Sequence, residues 1–185
     1  METEKKLLTI GLNELGISPS SDVIGRFVAY LVELKKWNRT YNLTALKNNA
    51  DIITKHFIDS LLYLTAIPHG NWSICDVGSG AGFPGLPIAI VRPDITVTLI
   101  EPSRKKVAFL KHMKRLLSLN NVDVLAYRIE EVRDKFFDIA VTRALFSIGD
   151  FIKKAGPVLK KEGFLVLNKG PKLEEEIKGL PDYVK

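Results

Sequence analysis

The run Asp76-Val77-Gly78-Ser79-Gly80-Ala81-Gly82-Phe83-Pro84-Gly85 is the part of this sequence best suited to hold a ligand. It follows a β-rich segment and opens a helical one. Glycines at this spacing let the backbone turn tightly and approach a ligand with no Cβ in the way. The helix behind them offers unpaired N–H groups and partial positive charge, and Pro84 suits its first turn. Gly80 to Gly85 matches G-x-G-x-x-G, a weak signal taken alone. Asp76 separates the alternatives. A carboxylate directly before the glycines repels a pyrophosphate and attracts a cationic group. S-adenosylmethionine carries an ammonium and a sulfonium and no phosphate, so the run favours it over NAD. A tight strand–helix turn with no ligand is the plainer alternative. Glu101 ends the next β-rich run, where an acid can accept both ribose hydroxyls of a nucleoside; an ordinary loop glutamate is the competing reading.

These residues need a scaffold, and the pattern after Trp72 supplies one. Candidate strands at Ser73–Val77, Thr96–Ile100, Val122–Ala126, Asp138–Thr142 and Phe164–Leu167 alternate with candidate helices at Gly85–Val91, Ser103–Ser118 and Ile148–Leu159, and with a short turn near Glu130. Such alternation predicts an α/β fold with a doubly wound, mainly parallel sheet covered on both faces. Residues 1–68 read instead as a helical extension, and 69–185 as the Rossmann-like core. Leu7, Leu8, Leu12 and Leu15 repeat at helical spacing before Gly16. Ser21 or Asp22 is placed to cap a second helix with Ile24, Phe27, Leu31 and Leu34 inward. Trp37 to Thr44 reads as a polar-aromatic loop, followed by a third helix from Ala50 to Leu64.

The helix after Glu101 is rich in cations. At about 100° per residue, Arg104, Lys111 and Arg115 share one stripe, with Phe109, Leu110, Met113, Leu116 and Leu117 opposite. The stripe is either a solvated face or a contact for an RNA backbone. Lys106 falls on the apolar side in the first turn, so it either projects into a cleft at the carboxyl edge of the sheet or snorkels off the helix end. Tyr127, Arg128-Ile129-Glu130, Thr142-Arg143 and Lys169-Gly170 all fall at strand ends on that same edge.

Lys and Arg number 27 against 21 Asp and Glu, a formal charge of +6 that favours a polyanionic partner without requiring one. The single cysteine, Cys75, excludes a disulfide scaffold. No apolar run reaches membrane-spanning length and the N-terminus is unlike a signal peptide, so a cytoplasmic protein with no membrane partner is expected. His56, Asp59, His69 and His112 show no metal-ligand spacing, and no metal is expected.

Taken in order, these residues resemble one family, the bacterial small-subunit ribosomal RNA guanine-N7 methyltransferases (RsmG, also called GidB). Trp37-Asn38-x-x-Tyr41-Asn42-Leu43-Thr44 matches its N-terminal loop and His56-x-x-Asp59-Ser60 its next motif. Asp76 to Gly85 matches its cofactor loop, including the Pro-Gly ending. Lys105-Lys106-x-x-Phe109-Leu110, Arg128-x-Glu130, Arg143-Ala144 and Lys169-Gly170 follow in family order. The resemblance implies a class I S-adenosylmethionine methyltransferase acting on N7 of a guanine in 16S ribosomal RNA or the small ribosomal subunit. With the residue reading it gives a cofactor set of Asp76, Gly78, Gly80, Phe83, Glu101, Ile129, Glu130 and Arg143. The candidate RNA contacts are Arg104, Lys105, Lys106, Lys111, Arg115 and Lys169, with Lys106 lining the RNA-facing side of the active-site mouth. Family members usually continue to a closing pair of strands. The chain stops at Lys185, so those strands are expected to be missing and Phe164–Leu167 to become an exposed sheet edge.

Guanine N7 offers an in-plane lone pair, so no general base is required and no catalytic residue is assigned; Lys106 and Arg143 are the candidates near the acceptor. Arg143 is expected on the cofactor, on guanine O6 or on phosphate, because a donor on N7 would block the lone pair. Phe83 or Tyr127 is a candidate to stack on a splayed base, with burial in the core as the equal alternative. Two further readings stay open: a methyltransferase with another acceptor, and an RNA-binding protein that keeps the fold without activity.

Overall fold

Five runs rich in Val, Ile, Leu and Thr form five parallel strands: β1 (Ser73–Val77), β2 (Thr96–Ile100), β3 (Val122–Leu125), β4 (Phe137–Arg143) and β5 (Leu159–Asn168). The computed structural model describes residues 1–143 and 146–168, and Ile177. The sheet order is β3-β2-β1-β4-β5, with every pairing parallel. The order runs outward in opposite directions from β1 and β4, so their carboxyl ends flank the crevice where ligands bind in such sheets.

Side chains alternate across the sheet and build two cores. Ile74, Val97, Leu99, Ile139 and Val141 face one core. It is completed by the N-terminal residues Leu8, Phe27, Tyr30, Leu34, Ile52 and Phe57 and by Phe109, Leu110 and Met113. Cys75, Val77, Ile100 and Ala140 face the other, against Phe151 and Ala155. Helices α5 (Gly85–Val91), α6 (Arg104–Leu116) and α7 (Ile148–Ala155) fall where the alternation places them, except that α7 stops short of the expected Leu159, which opens β5. The N-terminal helices therefore share the packing of one sheet face.

Helices α1 (Glu2–Glu14) and α2 (Ser21–Tyr41) begin the chain, and Ser20, one residue before the expected caps, accepts the Val23 N–H. α2 continues through the stretch expected to be a loop. Trp37 packs on Phe109 and His112 of α6, at 5.5 and 5.4 Å between ring centroids, and this tertiary anchor holds the last turns helical until Asn42 adopts a left-handed φ of 50°. The expected third helix is a composite of α3 (Asn49–Ile52), a π turn at Ile53–Ile58, α4 (Asp59–Leu61) and a 3-10 turn at Leu62–Thr65. Leu116, expected inward on α6, is 47 % exposed. β5 starts five residues before the expected Phe164: Leu159 already pairs with Phe137, and the register then shifts so that Phe164 pairs with Ile139.

Among the described residues, no helix is long and apolar enough to cross a membrane, and no group of three His, Cys, Asp or Glu could hold a metal ion. The residues expected to form the last helix, Lys172 to Ile177, lie outside the described residues apart from Ile177, as does the chain end.

Candidate active site

The glycine run turns off β1 under backbone control. The N–H groups of Gly78 and Ser79 both donate to the Ile100 carbonyl, at 2.8 and 3.2 Å, tying the turn to the end of β2. Two glycines have no substitute. Gly82 has φ of 97°, and a Cβ there would sit 2.4 Å from Leu86 Cδ1 and 2.7 Å from the Tyr30 hydroxyl. A Cβ on Gly85 would sit 2.4 Å from Leu99 Cδ2 and 2.7 Å from Asp76 Oδ2.

That second contact shows what Asp76 does. Its side chain is fully buried, and Oδ2 accepts the Gly85 N–H at 2.9 Å, which secures the first turn of α5. Oδ1 has no hydrogen-bond partner. Burial pushes the Asp76 carboxyl up to about 7, against the Gly85 N–H and the nearby Ser79 hydroxyl, with Glu101 adding to the rise. An orphaned carboxylate oxygen beneath a glycine-rich turn fits a cationic ligand held above it. Asp76 is sealed from solvent beneath the turn that its bond to Gly85 closes.

Glu101 is 4 % exposed and spans the same turn. Its Oε2 accepts the Gly80 N–H and its Oε1 the Ser103 N–H, both at 2.9 Å. Each carboxylate oxygen has a second lone pair, so both stay able to accept a ribose hydroxyl. Lys106, at the start of α6, brings Nζ to 4.0 Å from Glu101 Oε2 and is 40 % exposed, at the carboxyl edge where its place on the helix suggested.

Arg143 ends β4 and is held by the π turn. It donates to His56 Nδ1 at 3.2 Å and to the Lys55 carbonyl, and it pairs with Asp59 at 3.0 Å. A guanidinium only donates, so His56 Nδ1 is the acceptor in that contact, while Nε2 reaches Thr44 Oγ1 at 2.7 Å. Burial first, and the Arg143 charge second, pull His56 down to about 4, so it is neutral at neutral pH. The His56 ring stacks on Phe83 of the glycine run, with centroids 4.5 Å apart. Loop 42–48, the π turn, the glycine run and β4 thus meet through Thr44, His56, Phe83 and Arg143. Tyr63 adds a further tie: its hydroxyl donates to the Thr142 carbonyl at 2.7 Å and accepts the Asn168 N–H at 3.2 Å.

The other expected site residues divide. Phe83 is 8 % exposed and packs on His56, Tyr30 and Phe57, so its ring is part of the core rather than a free stacking platform. Tyr127 is 51 % exposed and accessible. Ile129 is buried, whereas Glu130 is exposed and its carboxylate pairs with Lys154. Arg104, Lys105, Lys111 and Arg115 are all exposed on α6. Lys169 lies outside the described residues. Reasoning from sequence missed the Thr44–His56–Arg143 chain, because its members are far apart in sequence; the order of strands and the His56-x-x-Asp59 spacing were the available signals.

A family profile described as rRNA small subunit methyltransferase G matches residues 24–184. A protein of Neisseria meningitidis named ribosomal RNA small subunit methyltransferase G is 41 % identical over 182 residues, 97 % of this chain and 86 % of its own length. One of the same name from Methylobacillus flagellatus is 38 % identical over 175 residues, covering 94 % and 84 %. Among solved structures, coclaurine N-methyltransferase superposes with a TM-score of 0.57 at 19 % identity, over 90 % of this chain and 57 % of that one. A ribosomal protein L11 methylase from Lactobacillus delbrueckii gives 0.52 at 17 % identity, over 67 % of each chain. At these identities the structural matches speak for the fold, which is that of class I methyltransferases.

Proposed function

The chain belongs to the rRNA small subunit methyltransferase G family, and on that premise we propose that it transfers the methyl group of S-adenosylmethionine to N7 of a guanine in 16S ribosomal RNA. One observation carries the reading: the family match runs through residues 24–184 and so takes in the glycine run, Glu101 and Arg143 together. When bound, S-adenosylmethionine supplies a methyl group on a sulfonium that a lone pair displaces directly. Guanine N7 presents such a lone pair unprotonated at neutral pH, so the chain needs no general base and works by holding and orienting.

The residues support distinct tasks. Glu101 offers two acceptor oxygens for ribose hydroxyls, already aligned by Gly80 and Ser103. The glycine run lets the ligand lie against backbone, and Asp76 beneath it favours positive charge there. Arg143, fixed by His56, Lys55 and Asp59, is assigned to the cofactor, to guanine O6 or to phosphate, since a donor on N7 would occupy the attacking lone pair. Lys106, beside Glu101, is assigned to the RNA side of the mouth.

The test is transfer of radiolabelled methyl from S-adenosylmethionine into small subunits or 16S RNA lacking the modification, with the product base identified by mass spectrometry. N7-methylguanine at one position is the expected result. Transfer to a different base or only to small molecules would overturn the acceptor. Tight RNA binding without transfer would leave an RNA-binding protein that has kept the fold.

A further inference from the structure

A groove of about 700 Å³ lies between the end of α2 and loop 42–48, and three cations, Lys35, Arg39 and Lys47, line it with Asn38, Asn42 and Thr44. No carboxylate lines it. Lys35, Asn38 and Arg39 follow i, i+3, i+4 spacing, so α2 presents them on one face, and Asn42 caps the end of the helix. The opposite wall is held in shape: Asn38 Nδ2 donates to the Thr44 carbonyl at 2.9 Å, and the Thr44 N–H donates to Asn38 Oδ1 at 2.8 Å. Arg39, Asn42 and Lys47 are exposed, and Tyr41, in the same turn, is 41 % exposed.

The carboxylates near this face are engaged elsewhere. Glu33 pairs with Lys36 and His112, Asp51 with Lys55, and Glu4 with the N-terminal amine and Asn49. The groove's positive charge is therefore not cancelled from within its lining. Its position ties it to the site described above. Thr44, in the groove wall, bonds His56, and His56 stacks on Phe83 of the glycine run.

We propose that the groove of Lys35, Arg39 and Lys47 seats the phosphate backbone of the ribosomal RNA strand flanking the target base. The inference rests on the function proposed above and extends it to a surface beyond α6. Cations that can reach successive phosphates, amide and hydroxyl donors between them and an exposed ring alongside are the groups that hold an RNA strand without reading its sequence. The groove thus fixes which way the RNA enters, and the edge of the sheet receives the base.

The test compares the wild type with Arg39→Ala/Lys47→Ala in binding to protein-free 16S rRNA across a range of KCl concentrations. The expected result is an affinity lower by about tenfold at moderate salt and a plot of log K against log salt shallower by about 1.5, the slope of two phosphate contacts. KM for the RNA rises in step, while calorimetric affinity for S-adenosylmethionine and the thermal midpoint stay at wild-type values. Arg39 also lies in the last turn of α2, where a cation offsets the helix dipole. If that were its whole role, the midpoint would fall and the salt slope would not change. The swap Arg39→Lys/Lys47→Arg keeps both charges and should keep affinity and slope; if it loses as much as the alanine pair, charge is not what the groove supplies. Loss on assembled subunits but not on protein-free RNA would mean that the groove holds a ribosomal protein, and the inference falls. A wild type that methylates the RNA alongside an unaltered alanine pair sinks the groove alone. A wild type that neither binds nor methylates the RNA, whether protein-free or in small subunits, sinks the proposed function and the groove with it.

Discussion

The glycine run and the π turn face each other across Phe83, and they are built in opposite ways. The glycine run holds its shape by backbone: N–H groups on Ile100, Asp76 and Glu101, with no room for a Cβ at Gly82 or Gly85. The π turn holds its shape by side chains, through Thr44, His56, Asp59 and Arg143. The first region buries a carboxyl with one oxygen unpartnered; the second buries an imidazole kept neutral by burial and by a guanidinium. One is prepared for a small cationic ligand that fits closely against backbone. The other fixes Arg143 at the end of β4. Substitutions and pH should therefore act on the two regions differently.

The largest effect is expected at Gly82. Gly82→Ala forces a positive φ on a residue with a Cβ and drives that Cβ into Leu86 and Tyr30. Strain and overpacking together should cost roughly 3 kcal/mol in stability, read as a lower midpoint in denaturant, and should abolish cofactor binding. A variant of wild-type stability would show that the backbone of the glycine run is softer than described.

A smaller effect should separate the two regions by pH. The Asp76 pKa is raised in the folded chain, so between its ordinary value and about 7 the native state binds the extra proton. Asp76 thus makes stability fall as pH rises across that window. The His56 pKa is lowered to about 4, so from there to its ordinary value the unfolded state binds the extra proton, and stability rises with pH. The two slopes oppose each other over the range they share. Asp76→Asn should unmask the rising slope and His56→Asn the falling one, both followed by chemical denaturation at a series of pH values. If neither substitution changes the pH slope, the burial assigned to these two groups is wrong.

The smallest effect is a control inside a helix. Gly25 sits in the second turn of α2 with open space where a Cβ would go. Gly25→Ala should stabilise the chain by up to about 1 kcal/mol from helix propensity alone, with cofactor affinity unchanged. Destabilisation there would mean that α2 relies on a close approach at Gly25.

What was legible in the sequence follows the same division. Glycines that need positive φ, β-branched strands and an acid at a strand end are local demands, and they placed β1, β2, α5, Asp76 and Glu101 where the structure has them. The end of α2 was misread because Trp37 is held helical by α6, a contact invisible to local pattern. The π turn has no compositional mark, and Arg143 meets His56 and Asp59 only because β4 lies beside β1 in the sheet. Phe83 carried the same ambiguity between ligand and core that any aromatic in a loop does, and here packing with His56 and Tyr30 decides for the core.

The central claim is that the glycine run with Asp76 and Glu101 is a site for S-adenosylmethionine. Its most direct test is calorimetric titration of the wild-type chain with S-adenosylmethionine and, separately, with NAD, from about pH 5.5 to 6.7, about a unit below the pKa of the ligand's own amino group. S-adenosylmethionine alone should bind. Its affinity should rise with pH as Asp76 ionises around 7, a rise that Asp76→Asn removes together with about tenfold in affinity. Binding of NAD, or no heat with S-adenosylmethionine from a folded chain, would contradict it.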